Sequence, residues 1–296
     1  GELPDIAASL VFVPLFIGVI ALVGYPLFRR VFGFDHATAW YSAMPGGLQD
    51  MLVFGEEAGG DVRALSLIHA TRVLVIVTVA PFLMTVWWGV DLSQPPGTPM
   101  RATDPAEIAT MVAAGLIGWK VAGRLGLFGA SILGPMVLAA TLSLTGVIHH
   151  RPPAEMIQAA QFFIGIAVGV KYAGITLREL RIDVTAGVVY SALLAVVSLI
   201  FIELIVGLGL APALEAFLAF LPGGQAEMVV IAIIAGADLA YVVSHHLLRM
   251  ILVILLGPVV GKLVGRREKV LDPLDSIGLS QIVAKARIPG IHALLG

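Results

Sequence analysis

Apolar residues gather in long runs along this chain. Seven of them, at 7–28, 65–89, 108–123, 128–147, 156–175, 184–209 and 240–263, are separated by short polar pieces. A helix that crosses a bilayer needs about 20 apolar residues. Several runs meet that length and a few are shorter or interrupted by glycine. The pattern predicts an all-α, polytopic helical membrane protein. Two more apolar stretches are broken in the middle. Residues 37–44, with Trp40 and Tyr41, stop at Pro45-Gly46-Gly47, and residues 48–55 lead on to Glu56-Glu57-Ala58-Gly59-Gly60-Asp61. Residues 212–236 are interrupted in the same way at Pro222-Gly223-Gly224. Proline removes a backbone donor and glycine weakens a helix, so each triplet should part its rod into two half-helices.

The two breaks belong to one repeated unit. Pro45-Gly46-Gly47-Leu48-Gln49-Asp50-Met51 returns as Pro222-Gly223-Gly224-Gln225-Ala226-Glu227-Met228, an offset of 177 residues (222 minus 45). The same ungapped offset pairs Asp61 with Asp238, His69 with His246, Arg72 with Arg249 and Pro81 with Pro258. The surviving matches are mostly proline, glycine and ionisable residues, which apolar composition alone would not hold in one register. The chain therefore divides into a first repeat at 1–90, a polar linker at 91–107, a complete second repeat at 108–265 and a mixed, partly amphipathic tail at 266–296. Residue 1 aligns with residue 178, so 108–177 has no counterpart. With Gly1 in place of Met, the expectation is that the N-terminal part of the first repeat is missing and the encoded protein begins earlier.

Lys and Arg decide how the runs are threaded, because they collect in short loops on one side of a membrane. If each Pro-Gly-Gly segment enters and leaves on one side, Arg29-Arg30, Arg63, Lys120, Arg124, Lys171, Arg178, Arg181 and the cluster at Arg266 share a face. The linker and the His149 loop take the other face, with Arg101 and Arg151. Full crossings would scatter the basic residues over both. The hairpin arrangement puts an odd number of spans ahead of 184–209, so the copies enter in opposite directions. The expectation is an inverted-topology internal repeat with re-entrant hairpins.

Composition narrows the function classes. Hydrophobic residues make up 58% of the 296 and charged ones 13%, with a mean hydropathy of +0.98, far from a soluble average. A net charge of −2 supplies no basic field, so no nucleic-acid partner is expected. Cysteine is absent, which removes disulfides, thiolate metal sites and a cysteine nucleophile. No GxxxxGK[ST] loop for ATP occurs. His36, His69, His149, His150, His245, His246 and His292 include no HxxxH pair. No enzyme activity, resident metal or cofactor is expected, beyond a coupling proton or sodium ion.

The candidate chemistry lies around the breaks. Asp50 and Glu227 stand three residues beyond the second glycine of each triplet. A carboxylate there stabilises the orphan N–H groups of a helix start. At membrane depth, however, a charge costs about 2.5–3.5 kcal/mol on insertion scales, which favours a proton- or cation-binding role. Pro45, Gly46, Gly47, Pro222, Gly223 and Gly224 are either plain turns or discontinuous helices whose freed backbone lines a cavity; paired breaks in two halves point to a transporter site. Gln49 and Gln225 can hydrogen-bond the carboxylates or a ligand, and Met51 and Met228 read as packing residues beside the break. His69 and Arg72, like His246 and Arg249, are three apart and share a helix face. They face an anionic substrate or relay protons, or the arginine pairs with a carboxylate while Asp61 or Asp238 caps the helix. Gly165 and Gly169 have the spacing of a close-packing face.

Gly134-Pro135-Met136, Gln161 with Gly165 and Gly169, Pro-Gly-Gly-x-x-Glu-Met at 222–228, Gly236-x-Asp238 and His246-x2-Arg249 together resemble the AbrB-type duplicated membrane proteins of bacterial inner membranes. The second repeat matches throughout and the first from its middle onward, with Asp50 where the family usually has Glu. The resemblance implies a multi-pass inner-membrane location and no established substrate; family labels include ammonia monooxygenase and regulator of gene expression. The expected function is an ion- or proton-coupled secondary transporter of an unidentified small molecule. A membrane regulator acting through partners, or an ammonia monooxygenase-like enzyme, are the alternatives. The lipid bilayer and a small-molecule substrate are the expected partners, with association into a homodimer left open.

Overall fold

The computed structural model describes residues 3–93, 99–127 and 130–271. Every apolar run becomes helix, and no strand occurs among the described residues. The helices are α1 (Leu3–Leu10), α2 (Phe12–Pro26), α3 (His36–Ala43), α4 (Leu48–Glu57), α5 (Val62–Trp88), α6 (Pro105–Arg124), α7 (Ala130–Leu144), α8 (Ala154–Gly169), the short α9 (Leu177–Glu179), α10 (Thr185–Gly207), α11 (Ala213–Phe220), α12 (Gln225–Ala235) and α13 (Leu239–Leu271). Among these residues five rods are long and apolar enough to cross a membrane: Ile6–Val31, Val62–Trp88, Pro105–Arg124, Leu177–Gly207 and Leu239–Arg266. The protein is thus an all-α, polytopic membrane protein. At 15 and 16 residues, α7 and α8 are shorter than their apolar runs. Pro153 precedes α8, and a 3-10 turn at Val170–Tyr172 followed by Gly174 at φ 66° closes it. The linker residues 94–98 and most of the tail, 272–296, lie outside the described residues.

Both Pro-Gly-Gly triplets break their rods, and they do so in register. The half-helices α3 and α4 flank Met44–Gly47, and α11 and α12 flank Leu221–Gly224, with extended backbone at the four junction residues Met44, Gly47, Leu221 and Gly224. Asp35 starts α3 by accepting the Thr38 N–H at 3.0 Å. The Thr38 hydroxyl oxygen in turn accepts the Asp61 N–H at 2.7 Å. The beginning of α3 is therefore tied to the residue that opens α5, and the first hairpin enters and leaves at one end.

Polar contacts sort the remaining loops into two sets. Arg63, at the start of α5, donates to Glu179 at 2.7 Å and to the carbonyls of Lys171 and Ala173 at 3.1 and 3.2 Å. At the far end of α5, the linker residue Met100 donates its N–H to Glu155 at 2.8 Å. Glu107 there accepts the N–H groups of His149 and His150 at 2.5 and 2.8 Å. So α8 starts beside the linker and finishes beside Arg63. The core gathers between the two copies, with Phe16 of α2 edge-on to Phe201 of α10 and Phe220 of α11 at 5.1 and 5.4 Å.

One glycine expectation is corrected. Gly165 and Gly169 make no close-packing face within the chain, since a Cβ on either meets nothing within 4 Å. The tight approach is elsewhere. A Cβ on Gly118 of α6 would lie 2.5 Å from the Gly134 carbonyl oxygen of α7, so the glycine of the Gly-Pro-Met segment lets two backbones touch.

Candidate functional site

Each break frees carbonyls, and the long helices return donors to them. Pro45 has no N–H, so the Tyr41 carbonyl four residues earlier loses its helical partner. His69 of α5 supplies the donor, with Nε2 3.0 Å from that oxygen. Pro222 orphans the Leu218 carbonyl in the same way, and His246 Nε2 reaches it at 2.9 Å. One turn further along, Arg72 donates to Met44 and Gly46 at 3.2 and 2.9 Å, and Arg249 to Leu221 and Gly223 at 3.2 and 3.0 Å. The Ala43 carbonyl takes the Tyr190 hydroxyl at 2.5 Å, and the Phe220 carbonyl takes the Ser198 hydroxyl at 3.0 Å. Every acceptor in the second hairpin stands 177 positions after one in the first. All six donor side chains are buried.

Tyr190 and Ser198 did not stand out from the sequence. Both lie on α10, which thereby fastens both hairpins. The residues 177 positions earlier, Val13 and Ala21, carry no donor. A tyrosine and a serine inside an otherwise apolar run were the available signal.

The sequence-expected carboxylates sit just after each break, at the start of the second half-helix. Asp50 and Glu227 occupy the first turns of α4 and α12 and are half-buried. Each folds back over its own glycine. A Cβ on Gly47 would be 2.7 Å from Asp50 Oδ2, and one on Gly224 would strike the Glu227 carboxylate. Met51 and Met228 are fully buried, with their side chains against Gly46 and Gly223. Gln49 is exposed, whereas Gln225 is half-buried and its Oε1 has no hydrogen-bond partner. Asp61 and Asp238 stand away from the breaks. Asp61 accepts the N–H groups of Arg63 and Ala64 at 2.9 and 3.1 Å, and Asp238 those of Ala240 and Tyr241 at 2.9 and 3.2 Å.

The hairpins meet electrostatically. Arg72 of the first copy lies within reach of Glu227 of the second, and Arg249 within reach of Arg72. Both guanidiniums are buried. His245 points elsewhere, to Ser9 at 2.8 Å and the Tyr241 carbonyl at 2.7 Å. Among the described residues no three His, Asp or Glu side chains are grouped to hold a metal ion.

Beside the second break lies a small apolar cavity of about 60 Å³, walled by α5, α10 and α11 and reaching Leu221 and Pro222. Ala80 and Phe217 line it. Their counterparts across the repeat are Gly257 and Trp40, and there the indole donates from Nε1 to the Gly257 carbonyl at 2.9 Å. The second break has an apolar vestibule where the first has a tryptophan.

Comparison with known proteins gives one family. The family model described as "Transition state regulatory protein AbrB" matches residues 2–265. "Uncharacterized protein YhjN" of Bacillus subtilis (strain 168) is 29% identical over 265 residues, covering 80% of this chain and 65% of that protein. "Putative regulator AbrB" of Escherichia coli (strain K12) is 26% identical over 254 residues, covering 82% and 70%. The chain thus spans about two thirds of the length of these relatives. No solved structure matches it.

Proposed function

The chain belongs to the AbrB family, and from that footing we propose that it is a secondary transporter of a bacterial inner membrane. It moves a small molecule past two re-entrant hairpins, coupled to an ion through Asp50 and Glu227. The observation that carries this reading is the pair of matched breaks, each fastened at its carbonyls by the same His and Arg positions and each carrying a carboxylate over its glycine. Broken helices at membrane depth are tolerated where protein or a cavity satisfies them, and paired breaks are characteristic of transporter sites.

The same contacts support reading the two copies as an inverted repeat. Arg63 and Glu179 put the starts of α5 and α10 at one end. The Thr38–Asp61 bond puts the start of α3, and so the end of the α2 rod, at that end too. The α2 rod finishes where its counterpart α10 begins, which is the relation that lets one half open as the other closes.

Uptake into proteoliposomes tests the proposal, using a substrate first selected by thermal-shift screening of small acids, amines and amino acids. Glu227→Gln keeps the shape and removes the titration, so it abolishes gradient-driven uptake while leaving folding and substrate exchange largely intact. If Glu227→Gln and Asp50→Asn both transport normally under an imposed proton or sodium gradient, the carboxylates are helix caps and the coupling site lies elsewhere. The printed name of the Escherichia coli relative supports a second reading, a regulator. On our reading such an effect on genes is indirect, through the transported molecule. Catalysis is left out, and stoichiometric copper or iron in the purified protein would overturn that.

A further inference from the structure

The two hairpin clusters differ in one respect that the repeat does not require. In the second, His246 Nδ1 and Arg249 are joined at 2.9 Å, and Ala219 follows Leu218, whose carbonyl His246 meets, on α11. In the first, Ser42 occupies the position of Ala219 and the bond between His69 and Arg72 is not made. Ser42 Oγ, His69 Nδ1 and Arg72 Nε are buried without a hydrogen-bond partner. Their residues are 0%, 0% and 2% exposed. Unmade hydrogen bonds of this kind are costly and call for an explanation. Ser42 also lies between Tyr41 and Met44, the residues whose carbonyls hold His69 and Arg72.

The chemistry of the three atoms is specific. Arg72 binds Met44 and Gly46 through its two terminal nitrogens, and Nε is its one nitrogen with no partner. His69 Nε2 faces a carbonyl and must donate there, which leaves Nδ1 as an acceptor. Ser42 both donates and accepts. The charged neighbours are Arg249 from α13 and Glu227 from α12, and Tyr190 faces Arg72 from α10. A guest anion would give Arg72 Nε–H the acceptor that the protein does not supply.

We propose that the first hairpin holds a binding site for a small oxyanion that keeps one O–H group. Its charged oxygen accepts from Arg72 Nε and Ser42 Oγ, and its hydroxyl donates to His69 Nδ1. The second hairpin has no such site, because the His246–Arg249 bond closes it and Ala219 lacks the hydroxyl. This deepens the transport reading by naming the class of molecule carried, but binding stands without transport.

Binding is measured on the full chain in lipid nanodiscs by thermal unfolding with bicarbonate, lactate and phosphate, against chloride at equal sodium and ionic strength. At least one of the three raises the unfolding temperature saturably and chloride does not. Ser42→Ala installs the residue of the second copy, so it folds, and it weakens that binding by about tenfold, the worth of one hydrogen bond to a charged group. Arg72→Lys, which keeps the charge and loses Nε–H, binds more weakly still. The site is refuted if no oxyanion stabilises the wild type, if chloride does so equally, if Ser42→Ala binds with unchanged affinity, or if Arg72→Lys does. Such a failure leaves the Glu227→Gln uptake result untouched, so the two proposals fall separately.

Discussion

Tyr190→Phe and Ser198→Ala each remove one hydroxyl from one rod and test whether α10 really fastens both hairpins. The phenylalanine keeps the ring packed on Phe28, whose centroid is 4.8 Å away, so only the bond to Ala43 is lost. The carbonyl it serves sits at the end of α3, where the break leaves it no helical donor. A buried acceptor left unmade costs about 1–3 kcal/mol in soluble proteins. Polar pairs inside membranes average about 0.6 kcal/mol and reach about 1.7. Tyr190 is 0% exposed, so no water replaces the lost bond. We therefore expect a cost of about 1–2 kcal/mol, or about 2–8 °C in unfolding temperature at 2–4 °C per kcal/mol. Ser198→Ala, whose bond at 3.0 Å is longer, falls at the lower end. The two sites share no partner and should add within about 0.5 kcal/mol. Thermal unfolding in nanodiscs, followed by tryptophan fluorescence, reads all three variants. A Tyr190→Phe protein as stable as wild type, or a double variant no worse than either single one, refutes the fastening role.

Three further outcomes follow from named contacts. Gly224→Ala places a methyl where the Glu227 carboxylate lies, and the flexible side chain moves aside; coupled uptake is lost while the unfolding temperature shifts little, and normal uptake in vesicles would show that the folded-back position is incidental. Gly134→Leu drives a side chain into the Gly118 backbone, so α6 and α7 separate; a cysteine pair engineered across their interface should stop cross-linking. With no native cysteine present, Glu56→Cys and Ala240→Cys, both at exposed positions beside equivalent loops, should react with an impermeant thiol reagent from opposite sides of the membrane. Labelling of both from one side contradicts the inverted arrangement.

Much of this architecture was legible because its signals are backbone signals. Proline and glycine act on the chain itself, so Pro45-Gly46-Gly47 and its copy marked the breaks, and apolar runs marked the rods. The role of His69 and Arg72 was not legible, since three-residue spacing shows a shared face but not what the face meets. They meet carbonyls that Pro45 and its neighbours set free, a link that needs α3 and α5 side by side. Tyr190 was hidden for a similar reason: its partner is 147 residues away, in the other copy. The C-terminal ends of α7 and α8 were read too long because apolar residues continue past the points where the turn at Gly146 and the 3-10 turn followed by Gly174 stop a helix.

The same carbonyl census bears on which ion does the coupling. Transporters that use sodium commonly hold it with unwound backbone carbonyls at helix breaks. Here Tyr41, Ala43, Met44 and Gly46 already accept from side chains, as do Leu218, Phe220, Leu221 and Gly223. The guanidiniums that occupy four of them would also repel a cation at close range. The charged oxygens near the breaks are those of Asp50 and Glu227, which suit a proton on a carboxylate better than a sodium shell. Uptake should therefore run on an inward proton gradient in sodium-free buffer, keep its rate when sodium replaces potassium, and disappear in Glu227→Gln. Strict dependence on sodium, persisting in Glu227→Gln, would place the ion at some other group and remove the carboxylate from the coupling step.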